Sequence, residues 1–217
     1  MDAKTLCATY APYDHRKRLE MIFRDFDRVL VTSSFGTTSA ILLHFLQQVR
    51  PNHPVYFIDT KYHFEETHHY KQTLEQRWKL NVQDLQPGFN AHAYTRMDFT
   101  WTHDPDVCCF VNKVEPLEKL KARHDIWISG MLGSGNTNRA NLDLFRRDGD
   151  LFRFYPLSDI SPEEVEIMKV IYELPSHPLE RQGYESVGCM HCTIQGNGRA
   201  GRWAGSSKSE CGLHLLS

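Results

Sequence analysis

The chain has 217 residues, 41% of them hydrophobic and 12% aromatic, with a formal net charge of -2. That length and apolar content suffice for one sizeable core. The near-neutral charge excludes a global pull toward nucleic acid or anionic membrane, so any anion site must be a local cluster of Lys, Arg and backbone amides.

Val29-Leu30-Val31-Thr32 is a short, β-branched apolar run that reads as a strand. It breaks into the loop Ser33-Ser34-Phe35-Gly36-Thr37-Thr38-Ser39, and Ala40 to Leu46 then has helical length. A second unit follows, with Val55 to Ile58 as strand, Asp59-Thr60 as loop and a charged amphipathic helix over about 64–80. A helix over about 107–121 precedes a third strand, Ile126 to Ser129, which ends at Gly130. Strands alternating with helices imply crossover connections, and hence an α/β fold with a mostly parallel sheet flanked by helices and ligands at the carboxyl ends of the strands. The loops at Ser33, Asp59 and Gly130 are therefore expected to share one rim. Beyond Pro156, Ser161 reads as an N-cap, Pro162 as the first helical residue and Glu163-Glu164 as an acidic first turn, opening a helix to about residue 173. From Pro175 onward the frequent glycines leave little room for long elements. The expected organisation is an α/β nucleotide-binding region over residues 1–174 and a loop-rich C-terminal segment over 175–217, part of the same domain and lying over the sheet.

The loop from Ser33 to Ser39 presents hydroxyls, backbone N–H groups and a helix N-terminus, which suits a phosphate or an unliganded N-cap alike. It lacks the G-K-[ST] ending of a Walker loop. Six cysteines without a secretory leader at Met1 to Tyr10 point to metal or redox use in a reducing cytoplasm, and no stretch reaches the roughly 18 apolar residues of a membrane span. The adjacent pair Cys108 and Cys109 is answered by the C-x-x-C of Cys189 and Cys192. Four thiolates can hold zinc or saturate a cubane iron-sulfur cluster. Neighbouring helical residues project about 100° apart, which suits two corners of a cubane better than a zinc site, where spacers of two to four residues are usual. Cys7 has no partner by spacing and reads as a free thiol. Cys211, on a glycine-bearing tail, is better placed for chemistry than for metal binding.

Seven motifs in order carry a resemblance. They are Ser33-Ser34-Phe35-Gly36, Phe57-Ile58-Asp59-Thr60, Cys108-Cys109 with Lys113-Val114-Glu115-Pro116-Leu117, His177-Pro178-Leu179 to Gly183-Tyr184, Gly188-Cys189-Met190-His191-Cys192-Thr193, Arg199-Ala200-Gly201-Arg202-Trp203 and Glu210-Cys211-Gly212-Leu213-His214. Together they resemble the assimilatory adenylyl-sulfate and phosphoadenylyl-sulfate reductase family over nearly the whole chain, and in particular its cluster-bearing branch. The resemblance implies an adenine nucleotide alpha hydrolase-like fold and a thioredoxin- or glutaredoxin-dependent reduction of adenosine 5'-phosphosulfate to sulfite and AMP. It implies Cys211 as the nucleophile that forms a thiosulfonate, and one 4Fe-4S cluster on Cys108, Cys109, Cys189 and Cys192, with no flavin or nicotinamide. Thiol chemistry accounts for both electrons, so the cluster's expected role is structural and electrostatic. The implied substrate-binding residues are Ser33, Ser34, Phe35, Gly36, Thr37, Thr38, Ser39, Ile58, Asp59, Gly130, Lys113, Arg139, Arg199, Arg202 and His214, with Lys113, Arg199, Arg202 and His214 as the cations or donors near the sulfate.

Two departures stand out. Related ATP pyrophosphatases carry S-G-G-x-D-S, where this chain has Phe35 for the first glycine and Thr38 for the aspartate, removing a magnesium ligand. In the loop 131–138 after Gly130 the family's usual basic residues and glutamine are replaced, and only Arg139 matches. The alternative substrate is the 3'-phosphorylated form, whose roughly 1.5 to 2 extra negative charges would want further basic side chains. A sulfur-transfer or adenylating enzyme of the pyrophosphatase group is more remote. A non-enzymatic metal module would leave Cys211 and the Arg199 to Trp203 motif unexplained. The tail after about Gly205 is expected to move, because Cys211 needs a route from nucleotide to reductant.

Overall fold

The computed structural model describes residues 2–135, 139, 142–206, 208 and 210–214. Helices α1 (Ala3–Tyr10) and α2 (His15–Asp25) each open on an aspartate cap, Asp2 accepting from the Thr5 N–H at 2.8 Å and Asp14 from the Lys17 N–H at 2.7 Å. There follow β1 (Val29–Ser33), α3 (Ser39–Val49), β2 (Pro54–Ile58), α4 (Glu65–Trp78), β3 (Asn81–Leu85), α5 (Phe89–Met97) and α6 (Pro105–Cys109). After a π-helical turn at Phe110–Val114 come α7 (Glu115–Lys121), β4 (Ile126–Ser129), β5 (Phe145–Asp148), β6 (Leu151–Phe154) and α8 (Pro162–Ile171). Past α8 the described residues form only short 3-10 turns.

The sheet has six strands in the order β3-β2-β1-β4-β6-β5. All neighbours are parallel except β5 and β6, which form an antiparallel hairpin. Alternation along each central strand sends side chains to opposite faces. Val29, Val31, Ile126, Ile128, Phe152 and Phe154 join the larger core with Leu6, Leu19, Ile22, Leu43 and Val165, whereas Leu30, Trp127 and Leu151 pack with Leu117 and, from the tail, Leu213. Phe145 and Phe154 stack at 4.4 Å, and Tyr10 meets both edge-on. Buried Arg18 ties α2 to the segment before α8, donating to both carboxylate oxygens of Asp159 at 2.7 Å and to the Tyr10, Ala11 and Pro156 carbonyls. No helix among the described residues is long and apolar enough to cross a membrane.

The three expected strands and the helices following the first two lie where the apolar runs put them. The helix expected over about 107–121 is instead broken in the middle. Pro116 has no N–H to return to the Asn112 carbonyl, and its ring would crowd that oxygen, so the ladder widens and the Glu115 N–H bonds the Phe110 carbonyl five residues back. Helices α1, α2 and α5, strand β3 and the β5–β6 hairpin add to the predicted set. In the hairpin, Gly149 takes φ +58 in the turn after Asp148. The capping box at Ser161 and Glu164 forms as its sequence implies, with bonds of 3.1 Å and 2.8 Å.

Candidate active site

The carboxyl ends of β1, β2 and β4 open on a cavity of about 720 Å³. Ser33, Ser34, Gly36, Thr37, Thr38 and Ser39 are part of the lining, as are Ile58 and Gly130, and Lys113, Arg139, Arg199, Arg202, Cys211 and His214 line it as well. The C-terminal segment forms the cover. It is joined to the rest by the bridge from Cys189 to His63 and braced within itself by bridges from Gly196 to Tyr184 and Arg202 to Thr193 and by the Trp203 N–H on the Cys192 carbonyl at 2.9 Å. Thr37 donates to the Glu185 carbonyl at 2.9 Å, joining the loop after β1 to that cover.

Two residues expected at the nucleotide lie outside this lining. Phe35 is fully buried and meets Phe57 edge-on at 5.4 Å, with φ +48, the left-handed region that glycine occupies without strain. A large side chain there costs roughly 1–2 kcal/mol of backbone strain, offset by the apolar surface the ring buries. Asp59 turns toward β3 and is bound by Lys61, through its N–H at 3.0 Å and its ammonium at 2.9 Å, and by Gln86 at 3.3 Å. The residues 136–138 of the departing loop lie outside the described residues.

Cys211 is 9% exposed. Hydrogen bonding from the Cys109 thiol, set against burial and aided by the Lys113 ammonium, holds its sulfur well below the ordinary 9.0, so Cys211 is the thiolate of the pair while the Cys109 thiol is pushed up. Burial alone would lower the Lys113 pKa, but the neighbouring cysteine sulfurs, Cys189 and Cys211 foremost, raise it above its ordinary value and keep the ammonium. His214 is pushed down to about 4 by burial and stacks on Trp127 at 5.8 Å, so at neutral pH it is an uncharged donor or acceptor rather than a cation. Arg199 falls to about 10 through burial and the neighbouring Arg139 guanidinium, and stays charged. Arg202 lies 4.5 Å from the Trp203 ring centroid and donates to the Val187 carbonyl at 3.2 Å. Gly188 lies beneath it, and a Cβ there would come within 2.2 Å of the guanidinium and displace it from this position. The Nε atoms of Arg199 and Arg202 and Nδ1 of His214 are buried and find no hydrogen-bond partner among the described residues. Buried donors of this kind cost roughly 1–3 kcal/mol each unless an acceptor reaches them, which suits an anion in this cavity.

A second, much smaller cavity of about 10 Å³ lies behind Lys113 and is lined by Cys108, Cys109, Cys189 and Cys192 together with Tyr62, Trp101 and His191. Lys113 lines both cavities. The Thr60 hydroxyl lies 3.3 Å from Cys189 Sγ, Asn112 Nδ2 lies 3.8 Å from Cys108 Sγ, and His191 stacks on Trp101 at 4.1 Å as a lid. All four thiols converge with no carboxylate in the lining, a soft donor set with amide and hydroxyl partners, and it fits an iron-sulfur group. Among the described residues no three His, Cys, Asp or Glu side chains form a ready single-ion site. Cys7 is far from both cavities and exchanges hydrogen bonds with the Phe145 backbone at 3.2 and 3.6 Å.

Sequence reasoning did not name His63, Thr60, Glu180 or Glu210 as site residues. Glu210 sits within a quoted motif, whereas His63, buried against the Ile58 carbonyl at 3.0 Å, gave no sequence signal.

A mostly parallel sheet whose carboxyl-end rim carries a hydroxyl-rich loop, several guanidinium groups and a covered cysteine defines an α/β protein with a polar cavity at the sheet's carboxyl edge. Residues 28–195 match the phosphoadenosine phosphosulfate reductase domain, and the chain belongs to that family. Relatives include adenosine 5'-phosphosulfate reductases of Bacillus cytotoxicus, 35% identical over 90% of this chain and 88% of the relative, and of Mesorhizobium japonicum, 37% identical over 94% and 85%. Among solved structures, phosphoadenylyl-sulfate reductase of Candida auris in a phosphate complex has a TM-score of 0.73 at 19% identity, covering 88% of this chain and 96% of that one. FMN adenylyltransferase of Candida glabrata has a TM-score of 0.57 at 15% identity, covering 83% and 64%. These neighbours share the adenine nucleotide alpha hydrolase-like fold.

Proposed function

We propose that this protein reduces adenosine 5'-phosphosulfate to sulfite and AMP, with Cys211 as nucleophile and a thioredoxin or glutaredoxin dithiol as reductant, in the cytoplasm. The observation that carries the reading is the buried Cys211 sulfur in a cavity whose lining also brings together Lys113, Arg199, Arg202 and His214. The names of the relatives support the substrate class.

In the first step Cys211 Sγ attacks the sulfonyl sulfur, a sulfur-sulfur bond forms, and the bond from sulfur to the phosphate oxygen breaks with its electron pair leaving on AMP. Both partners are anionic. Lys113, Arg199 and Arg202 offset that repulsion where it counts, in a site with little water. His214, neutral at working pH, contributes a hydrogen bond rather than a charge. In the second step a dithiol thiolate attacks Cys211 Sγ, sulfite departs, and the resulting mixed disulfide is resolved by the second thiol. The dithiol thus supplies both electrons, and Cys211 returns as thiolate.

The loop from Ser33 to Ser39 and Gly130 would hold the AMP portion, with Ile58 against it and Arg139 on its far side. Cys108, Cys109, Cys189 and Cys192 would hold one 4Fe-4S cluster, which when bound supplies a rigid anionic body behind Lys113 and fixes the C-x-x-C segment to α6. Residues 1–174 then act as the nucleotide-binding region, and 175–217 as its cover within the same domain.

One observation favours the unphosphorylated substrate over its 3'-phosphorylated form. The cavity lining includes Glu166, Glu180 and Glu185, and its Lys169 is already paired with Glu166 at 3.0 Å and Glu180 at 3.1 Å. A further phosphate near these groups would meet net negative charge.

The test is anaerobic sulfite release with thioredoxin, offering each activated sulfate separately, with iron quantified on the same sample. Preference for adenosine 5'-phosphosulfate with about four irons per chain is expected. Preference for the 3'-phosphorylated form would overturn the specificity, and no sulfite from either by iron-loaded protein would overturn the reading of Cys211.

A further inference from the structure

Glu210, one residue before Cys211, is among the least exposed carboxylates of the chain at 6%. Three groups bind it. Arg139 donates from Nε to Oε2 and from Nη2 to Oε1, each at 2.7 Å, Arg199 donates from Nη2 to Oε1 at 2.9 Å, and the Cys211 backbone N–H donates to Oε1 at 3.0 Å. Burying a carboxylate is costly unless its oxygens are met in this way, and a forked guanidinium meets them in one geometry. The partners come from distant parts of the chain. Arg139 belongs to the loop after β4, and Arg199 to the segment after the C-x-x-C.

The other bonds on the tail either stay within it, as the His214 N–H on the Cys211 carbonyl at 2.8 Å, or act further from the sulfur. Arg153 Nη1 donates to the Leu213 carbonyl at 2.8 Å, and Lys208 pairs with Asp106 and donates to the Pro105 carbonyl at 3.3 Å. Among the described residues, the Glu210 bonds alone join the Cys211 backbone to the cationic wall of the cavity. The 3-10 turn that follows, Gly212–His214, begins at the residue so fixed.

Resting on the function proposed above, we propose that Glu210 is a positioning residue, a carboxylate latch through Arg139 and Arg199 that holds the Cys211 backbone closed over the cavity. The latch makes no bond to the sulfur itself and fixes the main chain that carries it. Its loss leaves the nucleotide wall in place but lets Cys211 sample open positions, which lowers the fraction of bound substrate meeting an aligned thiolate. The cost therefore falls on kcat rather than on KM.

The experiment compares the anaerobically purified, iron-loaded protein with its Glu210→Gln and Glu210→Asp variants. Without nucleotide, hydrogen-deuterium exchange in the peptide carrying Cys211 is expected to speed up by at least about tenfold in Glu210→Gln and by less in Glu210→Asp, which keeps the charge. In turnover, Glu210→Gln is expected to lose about 10²-fold in kcat with KM within about threefold of the parent. Exchange at the parent rate would overturn the proposal. So would a raised KM with kcat unchanged, which would mean that Glu210 only orders the arginines for nucleotide. Should Glu210→Gln fail to retain iron, Glu210→Asp decides, because exchange at the parent rate and an unchanged kcat in that variant would equally overturn the latch. If the parent itself releases no sulfite from either activated sulfate, the function reading falls while the exchange comparison still decides the latch.

Discussion

The sheet and the C-terminal segment are built by different physics. Between β1 and β6 the side chains that set position are Val, Ile, Leu and Phe in continuous packing, with Phe57, Phe145 and Phe154 at or near zero exposure. From Val187 to His214 position depends on single polar bonds: Arg202 on the Val187 carbonyl, Glu210 on two arginines, and Arg153 on the Leu213 carbonyl. Apolar packing tolerates small errors because many contacts share the load. A polar anchor does not, but it can be released and remade. The difference teaches that the cavity floor is fixed for good, and that its cover is held by bonds a substrate or a partner can compete for.

The comparison can be broken most sharply at Cys211. Cys211→Ser should cut sulfite formation on the order of 10⁴-fold or more while leaving the melting temperature of the sheet region unchanged, as read by activity and thermal unfolding on one preparation. The converse change is Phe154→Ala, which removes the stack on Phe145 and the edge contact with Tyr10. It should cost roughly 3–5 kcal/mol and lower Tm by roughly 8–15 °C.

A pH series separates the two regions further. Burial pushes the Glu210 carboxyl upward, but hydrogen bonds and charge from Arg139, with Arg199, more than offset it and hold it at about 2 against an ordinary 4.5. A folded-state pKa below the unfolded one means the stabilisation is complete above about 4.5 and is lost as pH falls from there toward 2. Thermal unfolding of Glu210→Gln should therefore depend less on pH than the parent between about 4.5 and 3, and equal slopes would remove Glu210 from the account. The smallest effect is expected from Trp127→Phe. It deletes the buried indole N–H bond to Thr32 Oγ1 at 2.8 Å and narrows the surface under His214, for about 1 kcal/mol and roughly 2–4 °C in Tm.

Legibility followed the same divide. Val29 to Thr32, Val55 to Ile58 and Ile126 to Ser129 were readable because a buried parallel strand is a continuous apolar run. Strand β3, Asn-Val-Gln-Asp-Leu at the sheet edge, was not, since only half of it faces the core and its pattern is polar. The β5–β6 hairpin did carry a signal: Gly149-Asp150, the two residues between the paired Asp148 and Leu151, is a hairpin-turn dipeptide. In the cavity, the motifs that carry the family resemblance named Lys113, Arg199, Arg202 and Cys211, and all four lie in its lining. The inward face of Phe35 and the β3-side pairing of Asp59 depend on backbone angle and tertiary partners, which no residue type announces.

Pro116 has no reactive group, lies outside the lining of both cavities and carries no charge, yet it governs the direction of the one ammonium they share. A helix without it could close its ordinary ladder from Asn112, and the one-residue slack absorbed at Phe110–Val114 would turn the upstream cysteines by about 100° relative to α7. The imino ring works as a spacer in a hinge pin. It sets the angle between the half of the helix that carries the sulfurs and the half that rests on the sheet, so the orientation of Lys113 is one route by which a change in either compartment reaches the other, beside the contact of Cys109 with Cys211.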